Sequence, residues 1–242
     1  MISAVKCIRF TCFLIGATSA IHASANSYTL TPKTTTGSNN SICVAESSKV
    51  GDLLKSPSGN TATIKALIGP SSSCKSEALP VQAEVEFTSI YSSQATVNLS
   101  NEYELLPISK VQRFNSTALL AKSKTVKDKN IFITVRVKHS NNDLTVFANN
   151  IEKIYKAKLK DAITQNSEKI NIQGLSALRF EVSGLSKDAF PIQTTYLITV
   201  IEGVDSLITI NTYMPSAEYA ANKSEMLTIG ESFKDTPSEI KK

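Results

Sequence analysis

Few side chains in this 242-residue sequence have the type and spacing that chemistry needs. His139 follows an alternating apolar run and stands beside Ser140 and Asn141. It would act as a general base only with a carboxylate close by, and a lone histidine at a strand-to-turn junction reads as a solvated turn residue. Ser72-Ser73-Cys74-Lys75 has the Ser-x-x-Lys spacing that places an amine beside a nucleophile on the first turn of a helix. Here it follows Gly69-Pro70-Ser71 and is soon cut off by Pro80, so the stretch reads as a turn. Glu84 with Glu86, and Glu102 with Glu104, are spaced i, i+2. On a strand each pair would share a face about 7 Å apart, as a cation site or a paired-carboxylate hydrolase requires. Val85 and Phe87 on the alternate positions make the first pair a solvated strand face, and the second is read the same way.

Lys153, Lys156, Lys158 and Lys160 form one of two dense basic runs, the other being residues 122 to 129. Complementation of a helix dipole explains much of it, and Lys158 falls within the apolar arc where its stem would snorkel. In a functional reading Lys153, Lys156 and Lys160 attract an acidic partner or an anionic membrane surface. No glycine-rich phosphate loop, Cys-x-x-Cys pair or His-x-x-x-His spacing occurs after residue 25, so no cofactor or metal is expected.

The start of the chain bears on the compartment. Lys6 and Arg9 precede a mostly apolar stretch of about a dozen residues, and Ala23-Ser24-Ala25 offers a small-x-small cleavage pattern. The stretch is too short for the roughly 20 residues that span a bilayer. The expectation is a signal peptide over residues 1 to 25, cleavage near Ala25, and a periplasmic or secreted protein with no transmembrane segment. Removing 25 residues leaves 217, carrying a net charge of +3 instead of +5. Mixed charge without a basic stripe argues against nucleic acid. Cys7 and Cys12 leave with the leader, and the remaining pair, Cys43 and Cys74, is expected to form a disulfide in an oxidising compartment.

The elements follow from patterning. Residues 26 to 41 are rich in Ser, Thr and Asn and are expected to be a flexible segment. Residues 42 to 92 read as a small β module of short strands held by the Cys43–Cys74 disulfide. Ile131, Ile133, Val135 and Val137 alternate with Phe132, Thr134 and Arg136, which predicts a strand buried on one face. Asn141, Asn142 and Asp143 supply a turn and an N-cap for a helix over residues 144 to about 163. Strands are expected over 169–172, 178–182, 192–201 and 207–213, the last two joined as a hairpin at Gly203. A second helix opens at Pro215-Ser216 with Tyr219, Met226, Ile229 and Phe233 on one face, and residues 235 to 242 form a flexible tail. The fold class is α+β, a mainly antiparallel sheet flanked by two helices and preceded by the disulfide-held module.

These features carry a resemblance. From about 97 to 234 the chain resembles the PsbP/DcrB-like family: a long helix after a strand ending near Val137, an Ile172-x-Gly174 turn, a Tyr196-Leu-Ile-Thr-Val-Ile strand, a hairpin, and a closing helix ending Ile229-x-x-Ser232-Phe233. The family implies an antiparallel sheet flanked by helices and mostly accessory, assembly or chaperone-like members that bind protein partners. It supplies no catalytic residue, and the N-terminal module lies outside it. The expected function is an exported, non-enzymatic accessory or assembly factor of a bacterial cell-envelope complex such as a secretion system. Its protein partner would bind on the sheet face left bare by the helices or on the N-terminal module. Alternatives are an inhibitor or immunity protein for an envelope-acting toxin, a carrier of a small apolar ligand, or an envelope hydrolase.

Overall fold

A computed structural model describes residues 25–30, 34–35, 40–56, 59–74, 76–89, 95–138, 143–204 and 206–235. The strands are short at first. They are β1 (Ala25–Thr29), β2 (Thr34–Thr35), β3 (Ser41–Val44), β4 (Leu53–Lys55), β5 (Thr61–Pro70), β6 (Val81–Ser89), β7 (Thr96–Ser100), β8 (Tyr103–Leu105) and β9 (Ile108–Ser109). A single helical turn, α1 (Lys110–Phe114), leads into β10 (Thr117–Ser123) and β11 (Asn130–Val137). Then come α2 (Leu144–Ala157), β12 (Leu159–Ile172), β13 (Leu175–Ser186), β14 (Gln193–Glu202), β15 (Ser206–Pro215) and α3 (Ser216–Glu231).

The main sheet has seven strands in the order β12-β13-β14-β15-β11-β10-β8, every pair antiparallel. Alternation along β14 sends Ile198 and Val200 to one face, where they meet Phe147, Ile151 and Tyr155 of α2. Leu197 goes to the other face with Met226 of α3, and Ile201 packs there with Ile229 and Phe233. The ribbon of β1 and β7 joins α3 on that second face, adding Leu30, Val97 and Leu99 to the same core. The architecture is the expected α+β class, an antiparallel sheet flanked by two helices.

A separate four-stranded sheet, β3-β6-β5-β4, carries the Cys43–Cys74 disulfide. Its small core of Ala62, Ile64, Ala83 and Val85 is completed by Phe114 of α1. Asn60 donates from its amide to the carbonyls of Arg113 and Phe114 (3.0 and 3.2 Å), closing the end of α1 onto this sheet.

Two local features set the geometry of the larger sheet. Gln173 and Gly174 both have positive φ (53° and 89°), the two-residue turn that matches strand twist and joins β12 tightly to β13. Lys129, 2% exposed, ion-pairs with Glu225, donates to Asn222 (3.0 Å) and lies 5.2 Å over the Tyr103 ring. That buried charge fastens α3 to the β10–β11 hairpin.

Several expectations are corrected. The segment 26–41 is not a loose tether in its described part: β1 pairs with β7, and Leu30, 1% exposed, donates to Ala95 O. Its polar residues sit on a ribbon that buries only Leu30 and part of Tyr28, too sparse a signal for a composition argument. The helix after Asp143 ends at Ala157, not near 163, and the chain turns directly into the fourteen-residue β12. Pairing along β13 outweighs helix periodicity there, and two bulges are eased by Asp161 and Asn166 at positive φ. Gly184 permits the first bulge, since a Cβ would lie 2.8 Å from the Lys160 carbonyl oxygen. The leader lies outside the described residues except for Ala25, as does the tail beyond Asp235.

Removing one partner of the buried pair should be expensive. Glu225→Ala is expected to cost about 3 kcal/mol, while Lys129→Met with Glu225→Leu recovers most of it. Urea unfolding reads both, and a single-variant loss no larger than the ~1 kcal/mol of an exposed pair such as Lys122–Glu104 would refute the clamp. Replacing Cys43 and Cys74 by Ser opens a loop of separation 31 and should cost about 3 to 4 kcal/mol. Amide exchange should then quicken in β3 to β6 and stay slow in β14 and β15.

Candidate binding face

On the α2 side of the main sheet, packing stops at the first residues of β15. Lys158 caps α2, and beyond it the sheet surface opens into a cleft of about 320 Å³. Phe132 of β11, Leu120 of β10 and Asn211 of β15 contribute to the floor. Tyr155 and Lys158 from the end of α2, with Asp188 from the loop after β13, form one rim.

Three tyrosines dominate the wall. Register pairs Tyr196 of β14 directly with Tyr213 of β15, and α2 lowers Tyr155 onto them. The ring centroids are 5.1 Å apart for Tyr155–Tyr196 and again for Tyr196–Tyr213, with interplanar angles of 52° and 30°. Such tilted contacts suit the ring quadrupoles. Burial raises all three hydroxyl pKa values, and neighbouring tyrosines add to it at Tyr155 and Tyr196. Tyr196 is pushed up to about 12. The phenols are therefore neutral donors and acceptors at physiological pH, suited to contact and poorly suited to act as bases or nucleophiles. Asn211 is 2% exposed and its Oδ1 has no hydrogen-bond partner. Lys158 Nζ lies 4.3 Å over the Tyr155 ring, and burial lowers its pKa.

The residues singled out from sequence do not converge here. His139 and Lys75 lie outside the described residues, and Ser72 is in an exposed turn. Glu84 and Glu86 are exposed on β6, with Glu86 in an ion pair with Lys65 (2.5 Å) that lowers its pKa. Glu102 precedes β8, so it shares no strand face with Glu104, which pairs with Lys122 (3.2 Å). Lys153 is exposed on α2, and Lys156 pairs with Glu152 (2.8 Å). Lys160 is not on the helix at all: it sits on β12 opposite Leu185. Among the described residues no cluster of three or more His, Cys, Asp or Glu could hold a metal ion. None of the helices there is long and apolar enough to cross a membrane.

Sequence reasoning missed the tyrosine wall, although a signal existed. Counting outward from the Gly203 turn, where Glu202 pairs with Leu207, brings Tyr196 opposite Tyr213.

Alkaline titration tests the wall. A phenol whose folded pKa is raised leaves stability intact below its unfolded value near 10 and erodes it as pH climbs toward the folded value. Stability should therefore fall from about pH 10 to 12, and Tyr196→Phe should lessen the slope. Ionisation of Tyr196 near pH 10, followed by ultraviolet difference absorbance against that variant, would show the wall to be solvated.

No family model matches the chain, and no curated protein does. Solved structures similar to it include PsbP (CyanoP) from Synechocystis sp. PCC 6803, at 16% identity and a TM-score of 0.48 over 59% of this chain and 86% of that one. LpqN, described as involved in cell envelope biogenesis of Mycobacterium tuberculosis, is similar at 15% identity and a TM-score of 0.47 over 60% and 85%. PA94 of Pseudomonas aeruginosa, a protein of unknown function described as a putative regulator, follows at 10% identity and 0.43 over 62% and 98%. The PsbP protein among them bears the name of the family whose pattern the sequence resembles.

Proposed function

We propose that this chain is an exported, non-enzymatic accessory or assembly factor of a bacterial cell-envelope complex, such as a secretion system, and that it binds a protein partner across the tyrosine cleft. The observation that carries the reading is the bare sheet face, where Tyr155, Tyr196 and Tyr213 stand beside the unpartnered Asn211 oxygen. Tyr196 and Tyr213, half-buried on a rigid sheet and backed by the buried Tyr155, give contact area, directional hydrogen bonds and little entropy to lose, which is how tyrosine serves binding surfaces. The compartment is supported by the leader pattern of Lys6, Arg9 and Ala23-Ser24-Ala25 and by a disulfide, which persists in oxidising surroundings.

A photoactivatable residue in place of Phe132, in the protein expressed in its own cells, tests the reading. The expected outcome is a stoichiometric crosslink to one envelope protein that is absent when the probe replaces the exposed Lys169 at the far end of β12. Tyr213→Ala should weaken that crosslink at least tenfold. Recovery of the protein alone from both positions would count against a partner on this face.

A further inference from the structure

The loop between β13 and β14, residues 187 to 192, presents Lys-Asp-Ala-Phe-Pro-Ile. Phe190 is 86% exposed and Ile192 44%, a large apolar surface left in water at one point. The loop is closed at its root, which holds the tip outward. Ser186 donates from its backbone to Ile192 O (2.9 Å), Ile192 donates to Ser186 Oγ (3.0 Å), and Thr194 Oγ1 donates to Ile192 O (3.1 Å). Lys187 Nζ donates to Ala157 O (2.9 Å), placing the loop beside the last turn of α2, where Ile154 is 44% exposed.

Lysines lie on the elements that meet at this loop. Lys153 and Lys156 come from α2, Lys158 from its cap, Lys187 from the loop, and Lys160 from the strand pair that leads into the loop. Glu152, Asp161 and Asp188 are the carboxylates that accompany them, so the rim keeps an excess of positive charge. An apolar point inside a basic rim complements a surface that is anionic outside and apolar a few ångströms deeper.

We propose that this end of the molecule docks on an anionic phospholipid surface, with Phe190 and Ile192 entering the headgroup and acyl boundary and the lysines lying over the phosphates. Docking here shares Lys158 and Asp188 with the rim of the cleft and otherwise uses different side chains. Rings entering the interface supply depth, and the lysines supply selectivity for anionic lipid and sensitivity to salt.

The chain contains no tryptophan, so Phe190→Trp introduces a single fluorescent reporter at the tip. Added to vesicles of phosphatidylglycerol and phosphatidylcholine at low salt, the mature protein should show a blue-shifted emission, and vesicles of phosphatidylcholine alone should leave it unmoved. In co-sedimentation, Phe190→Ser should weaken binding about tenfold. Lys153→Gln with Lys160→Gln should also weaken it at least tenfold, and raised salt should act likewise. All three positions are exposed, so folding is spared. Unmoved emission on the anionic vesicles, equal binding to both vesicle types, or binding that survives Phe190→Ser would overturn the proposal.

Discussion

The two central strands, β14 and β15, are buried on both faces, so each face of the sheet must be covered over them. A helix is about 10 Å across and strands lie about 4.8 Å apart, so one helix covers little more than two strands. On one side α3 and the β1–β7 ribbon share the task. Among the described residues the other has only α2, whose fourteen residues reach about 21 Å. Over β13 and β14 it buries Phe180, Val182, Ile198 and Val200, and coverage fails over β11 and β10. The cleft is the geometric remainder of one helix on a seven-stranded sheet.

Polar groups trace the border of that remainder. Leu207, Thr209, Asn211 and Tyr213 alternate along β15 toward the α2 side, grading from packed apolar to open aromatic. Thr209 Oγ1, Asn211 Oδ1 and Arg136 Nε are buried there without partners, and Arg136 rests 5.5 Å from the Phe147 ring. An orphaned buried polar atom costs about 1 to 3 kcal/mol. On the opposite face Lys129 pairs with Glu225, Arg179 with Glu231 and Lys223 with Glu181, and there too buried polar atoms lack partners, Arg179 Nη2 and Ser206 Oγ among them.

Legibility followed burial. The β14–β15 hairpin, α3 and the Ile172-x-Gly174 turn could be read because continuous apolar runs, a helical face and an obligatory positive φ leave marks in sequence. β12 could be read only over 169–172, since as an exposed edge strand it shows almost no alternation, and its bulges shift what remains. Residues 95 to 123 hold β7 to β10 and α1, elements of two to seven residues whose partners lie far along the chain. The tyrosine wall combines three elements, two related by register and the third by where α2 ends. Since the end of α2 was placed six residues too late, the third could not be found.

Both ends of the described chain meet at β7. Tyr28 sits opposite Val97, Thr96 exchanges backbone hydrogen bonds with Lys234, and Asn98 donates to Ser232 Oγ. A chain is synthesised from its N-terminus, so β1 exists before its partner and β7 before the segment that seals it. The second face of the sheet can close only when residue 234 is available. Such long-range closure is slow compared with local hairpins, and until then Leu30, Val97 and Leu99 remain exposed apolar surface, the kind that a chaperone holds.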